Sequence, residues 1–131
     1  MPTGSVPIFG VISCDKEIYL ISNVDEVVIM AKTGTVYTLG IWTVKSGNEG
    51  VFIKTWDDFA RWTSKNQKGA QTAILVQDED NPRKFISFGP WQDRDAAMQW
   101  RNTPEFKQAF GKFRELCSEI QPHTMQCVAS V

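Results

Sequence analysis

The sequence is short of cysteine, histidine and clustered charge. Its three cysteines, Cys14, Cys117 and Cys127, are spread over 131 residues. An odd count leaves no complete disulfide framework, and no C-x-x-C pair occurs. A single histidine, His123, excludes a His-rich metal site. The set Cys117, His123 and Cys127 matches no standard zinc spacing, so we expect no metal. Fourteen basic and fifteen acidic side chains give a net charge of -1 with no basic block. Nucleic acid is therefore not an expected partner, because binding to the phosphate backbone needs clustered Lys and Arg. No apolar run approaches the roughly eighteen residues of a membrane-spanning helix, so no membrane partner is expected either. The opening segment MPTGSVPIFG has no basic n-region of a signal peptide. We expect a cytoplasmic protein. Also missing are a Ser-His-Asp set, paired carboxylates and a phosphate-cradling glycine loop, and the spacing of Gly4 and Gly10 fits no nucleotide fingerprint.

Apolar residues make up 42% of the chain, which supports a packed core and rules out a disordered polymer. The length fits one domain. Residues 1–34 read as a less regular N-terminal extension. Short β-branched or aromatic runs at Val11-Ile12 and Ile18–Ile21 flank the turn-like Cys14-Asp15-Lys16, consistent with a β-hairpin. Val27–Met30 reads as a third strand or a helical turn.

The pattern sharpens from Thr35. Val36–Lys45 is rich in strand formers. Asn48 is placed to cap a helix with Glu49 in its first turn. In that helix Phe52, Trp56, Phe59 and Thr63 share one face at helical spacing, and Asn66–Gly69 stops it. Gln71–Gln77 and Lys84–Phe88 read as two strands around the polar turn Asp78–Arg83. Asp93 caps a second helical region containing Trp100 and, after Thr103-Pro104-Glu105, Phe106, Phe110 and Phe113. Thr124–Val131 reads as a closing strand. The order over residues 35–131 is strand, helix, strand, strand, helix, strand. This is an α+β, ferredoxin-like βαββαβ arrangement with an antiparallel sheet and both helices on one face. The other face of so apolar a sheet needs a cover, and pairing two sheets in a homodimer is the simplest.

Two stretches carry a family resemblance: Ile41-Trp42-Thr43-Val44-Lys45-x-Gly47, and Ser87-Phe88-Gly89-Pro90-Trp91 leading to Trp100-Arg101-Asn102-Thr103-Pro104-Glu105-Phe106. At this spacing residues 35–131 resemble the antibiotic biosynthesis monooxygenase (ABM) domain family, whose fold is the dimeric α/β barrel. The family includes cofactor-free monooxygenases that act on polyphenolic or quinol-type aromatics, and haem-degrading enzymes. The tryptophan of the haem-degrading members falls on Trp100. Their iron-ligating histidine falls on Phe110 and their asparagine on Gly40. Phe cannot ligate iron, so haem degradation is disfavoured.

The resemblance thus implies an oxidoreductase that needs neither metal nor flavin, acting on a small aromatic ligand. The alternative is a non-catalytic dimeric barrel that binds a small hydrophobic molecule. Trp100 is the candidate pocket residue, and Trp91 reads as core. Arg101 is either a surface residue or a clamp for an anionic substrate group. Tyr37 and His123 are the side chains of a suitable type to move a proton near neutral pH. No cofactor is implied.

Overall fold

A computed structural model describes residues 11–14, 17–22 and 26–30 as backbone and residues 32–131 with their side chains. The chain divides into two compact units, Met1–Thr35 with Gln126–Val131, and Val36–Met125. In the first unit β1 (Val11–Cys14), β2 (Glu17–Ser22) and β3 (Glu26–Met30) form an antiparallel sheet in sequence order. The turn expected at Asp15-Lys16 lies outside the described residues. In the same unit Gly34 N donates to Cys127 O and Cys127 N to Thr35 O, each at 2.8 Å.

The second unit contains β4 (Val36–Val44), α1 (Glu49–Asn66), β5 (Ile74–Gln77), β6 (Lys84–Trp91), α2 (Arg94–Arg101) and α3 (Pro104–Leu116). It closes with β7 (Cys117–Gln126), so its order is that of a ferredoxin-like α+β fold. The strands lie in the order β5-β6-β4-β7, with β6 antiparallel to both β4 and β5. The long segment after β6 is two helices, divided at the Thr103-Pro104 step. Pro104 disfavours a helical conformation at the preceding residue, and Thr103 is accordingly extended (φ -73°, ψ 149°). Thr103 joins the two helices: its hydroxyl donates to Trp100 O at 2.8 Å and accepts from Phe106 N at 3.1 Å. Asp93 caps α2 by accepting from Ala96 N at 2.8 Å.

Two local expectations differ in the structure. Asn48 stands at the N-cap of α1 without a capping bond. Its amide reaches Leu116 O at 3.5 Å instead, while the Glu49 carboxylate accepts from Gly47 N. The closing strand begins at Cys117, directly after α3, and ends at Gln126, several residues earlier than Thr124–Val131 suggested. Its sequence, CSEIQPHTMQ, is poor in strand formers and carries Pro122. It sits at the edge of the sheet, where a missing ladder N–H is tolerated.

Alternation along the strands sorts the side chains between two faces. Trp42 and Val44 of β4 and Phe85, Ser87 and Trp91 of β6 are buried toward the helices. There they meet Phe52 of α1 and Phe113 of α3, both fully buried. Trp42 lies 4.9 Å from Phe113 and 5.2 Å from Phe52, ring centre to ring centre. Phe52 in turn lies 4.9 Å from Phe85. Cys117 joins this core, and burial pushes its thiol up to about 11, so it is uncharged at neutral pH. Tyr37, Leu39 and Ile41, with Ile86 and Phe88, alternate onto the opposite face. On β5 that face carries Ile74 and Val76, 46% and 44% exposed.

Because Phe113 touches Trp42, Phe52 and Phe59 at once, Phe113→Ala leaves a cavity at the centre of the unit. We expect a loss of about 3–5 kcal/mol in urea unfolding. Thr103→Ala removes one N-cap and should cost about 1 kcal/mol, read as a lower midpoint at unchanged slope.

Candidate functional site

Between the helix-facing side of the sheet and the three helices lies a cavity of about 90 Å³. Its floor is β4 and β6, from Thr38 and Gly40 to Ser87 and Gly89. Its walls are aromatic. Trp56 and Phe59 come from α1, Trp100 from α2, and Phe106, Phe110 and Phe113 from α3. Ile120 and Pro122 of β7 complete the lining, and Arg101 reaches it from the end of α2. Phe110, Ile120 and Pro122 also border a more open groove beside Arg114, Ser118 and Glu119.

The aromatic walls support one another. Trp100 stacks near Phe59 (5.8 Å, 18°) and meets Phe106 edge-on at 4.7 Å and Trp91 at 4.9 Å. Phe110 stacks on Phe106 at 4.3 Å. A buried indole N–H needs an acceptor, and here each is a hydroxyl. Trp42 Nε1 donates to Ser87 Oγ at 3.0 Å, across the β4–β6 pairing. Trp91 Nε1 donates to Thr38 Oγ1 at 2.9 Å, and Trp100 Nε1 to Thr63 Oγ1 at 3.0 Å. Trp42, Trp91 and Trp100 are thereby fixed in orientation as well as in place.

Arg101 is the charged group at this cavity. Its guanidinium donates to Thr124 Oγ1 at 2.6 Å and to His123 O at 3.1 Å. Among the described residues no carboxylate pairs with it. Burial, and secondarily the nearby Arg94, pull its pKa below the usual arginine value. A half-buried cation held by two neutral acceptors is a place where an anion is stabilised.

The structure places the four candidate site residues differently. Trp100 and Arg101 line the same cavity. Tyr37 pairs with Pro90 on the opposite strand phase from Thr38 and is not part of the lining. His123 is not part of it either; its carbonyl holds Arg101. Thr38, Thr63 and Ser87 were not among the candidates. Thr63 carried a readable signal: a polar side chain on the apolar face of α1, and it proves 8% exposed. Thr38 and Ser87 carried none, because each is defined by a tryptophan far away in sequence.

The lining does not fit haem. A Cβ at Gly40 would stand 2.8 Å from Trp42 Nε1 and 3.0 Å from Ser87 Oγ, so the Trp42–Ser87 pair fills the space an asparagine would need. Phe110 is committed to its stack on Phe106. Among the described residues no histidine, cysteine or carboxylate lines the cavity to hold iron.

Solved structures with this fold are numerous. SnoaB, a cofactor-independent oxygenase from Streptomyces nogalater, superposes with a TM-score of 0.68 at 18% identity, over 75% of this chain and 97% of its own. A conserved protein from Methanosarcina mazei gives 0.65 at 16% identity, over 72% and 94%. A candidate antibiotic biosynthesis monooxygenase from Deinococcus radiodurans gives 0.66 at 14% identity, over 73% and 95%. Comparison with curated protein sequences gives no match. No helix among the described residues is long and apolar enough to cross a membrane. The profile of one family matches residues 35–112, more than half of the sequence and the part that builds most of this cavity, and the chain belongs to that family, antibiotic biosynthesis monooxygenase.

Proposed function

We propose that this chain is a cofactor-independent monooxygenase that oxidises a small phenol or quinol-type aromatic with O2. The observation that carries the reading is Arg101: a half-buried cation without a carboxylate partner among the described residues, set in the wall of an aromatic cavity. SnoaB, of the same fold, is a cofactor-independent oxygenase, which supports the reaction class. In such a reaction the substrate supplies the electrons. The cavity strips water from an electron-rich ring, and Arg101 stabilises its phenolate. A hydrogen-bearing ring carbon ortho or para to the phenolate oxygen reduces O2 and forms a C–O bond, giving a hydroperoxide. That intermediate loses the ring C–H proton and splits its O–O bond. One oxygen remains as a quinone carbonyl and the other leaves as water. Trp100, held by Thr63 and stacked near Phe59, provides the surface against which the ring lies. Pockets that enclose drug-sized ligands run to roughly 300–1,000 Å³. A cavity of about 90 Å³ favours a small phenol over a large polycycle.

One observation favours a second reading, a barrel that binds a hydrophobic ligand without turning it over. Among the described residues no carboxylate, imidazole or phenol lines the cavity to take the substrate's proton. Under the first reading the proton leaves to water, driven by the charge of Arg101. O2 uptake separates the two, since the second predicts binding with none.

The same proposal includes a homodimer, paired through the sheet face that carries Tyr37, Leu39, Ile41, Phe88 and the exposed Ile74 and Val76. Sedimentation at micromolar concentration should give about twice the 14.8 kDa of one chain, and Val76→Lys should shift it toward one chain. A wild-type monomer contradicts the pairing.

Aerobic incubation with a panel of phenols and hydroquinones should consume O2 and release the quinone. Arg101→Gln should cut kcat/KM at neutral pH at least tenfold. It should also move the rising limb of the pH profile upward, because the phenol now ionises without a neighbouring cation. Trp100→Ala should lower turnover to a similar degree. Activity across the panel that is indifferent to Arg101→Gln removes the site, and no uptake with any member removes the reaction.

A further inference from the structure

The polar groups of the cavity have one chemical bias. Thr38, Thr63 and Ser87 each use a hydroxyl oxygen to accept an indole N–H. Their own O–H protons have no acceptor among the described residues. Thr63 and Ser87 are 8% and 9% exposed, so bulk water does not serve them freely. Arg101 adds N–H groups beyond the two engaged with Thr124 and His123. Among the described residues the lining contains no Asp, Glu, Asn, Gln or His side chain. The cavity therefore offers donors in surplus and no dedicated acceptor.

We propose that this site selects its ligand by hydrogen-bond polarity: it takes an aromatic whose polar group is an oxygen acceptor, a carbonyl or phenolate, and rejects a ring of the same size bearing only donors. Thr38, Thr63 and Ser87 are the specificity-determining residues. Their placement explains the selectivity physically. Buried hydroxyls that find an acceptor recover the cost of their desolvation. Facing a hydrocarbon they stay unpaired, and sites built this way reject the wrong analogue strongly; an ammonium group is rejected by the like charge of Arg101. Each indole occupies one of a hydroxyl's two lone pairs and leaves its proton for the ligand, and Arg101, a cation with N–H groups to spare, tilts the site toward acceptors. The inference rests on the cavity being the aromatic-binding site proposed above, and it narrows the substrate to rings that present an oxygen acceptor, as a phenolate does before oxidation and a quinone after it.

The test uses the full chain and calorimetric titration with three ligands of nearly the same shape: acetophenone, an acceptor only; cumene, with no polar group; and benzylammonium, a donor only. Acetophenone should bind at least tenfold more tightly than cumene, although cumene is the more hydrophobic, and benzylammonium more weakly than either. Thr63→Val should reduce the acetophenone advantage at least threefold, while Thr63→Ser, which keeps the hydroxyl, should retain it. Equal affinity for acetophenone and cumene in the wild type overturns the selectivity and leaves an aromatic-binding cavity standing. Failure of all three to bind overturns the cavity reading itself, and this inference with it.

Discussion

A tryptophan taken out of water brings an N–H that must be given an acceptor or its burial is costly. This unit buries two of them and half-buries a third around one space, and much of its architecture follows from how they are satisfied. Trp42 uses Ser87 on the neighbouring strand, Trp91 uses Thr38 across the same pairing, and Trp100 uses Thr63 on α1. Each bond ties two elements together, strand to strand or helix to helix. The Trp42–Ser87 pair also requires a residue without a side chain at position 40, where a Cβ would come within 3.0 Å of both partners. The rings then form the walls, and the hydroxyls that hold them become the polar lining. One set of interactions thus holds the packing and, under the function proposed above, supplies the recognition.

Arg101 is the element that this packing does not explain. Its bonds to Thr124 and His123 fix its direction but do not neutralise it. A lysine in its place could not make the same planar, forked approach to two acceptors. The energetic cost of keeping a cation partly out of water is offset when an anion arrives. That is the property a cofactor-independent oxidation of a phenol requires, since the ring becomes reactive toward O2 as its anion.

The order of elements was legible because the hydrophobic period changes cleanly along the chain: alternation over Val36–Val44, then Phe52, Trp56, Phe59 and Thr63 at helical spacing. Asp93, Thr103 and Pro104 announced the helix starts by their own chemistry. β7 was harder, because an edge strand tolerates Pro122 and polar residues that argue against a strand in isolation. Of the cavity lining, Trp100 had been singled out by its motif, and Arg101 as either a surface residue or a clamp for an anion. Thr38 and Ser87 were not, since their roles depend on a strand register that brings residues 45 and 53 positions apart into bonding distance. Tyr37 illustrates the same limit from the other side. It stands one residue from Thr38, and that single step puts it on the other strand phase, away from the cavity.

The central claim is that this cavity holds an aromatic anion against Arg101. Spectral titration of bound 4-nitrophenol tests it directly, because the phenol and phenolate absorb at different wavelengths. The account predicts that the bound phenol ionises at lower pH than the free one, and that Arg101→Gln abolishes the difference. A bound phenol that ionises at higher pH than in water would mean that desolvation outweighs the arginine, and would contradict the account.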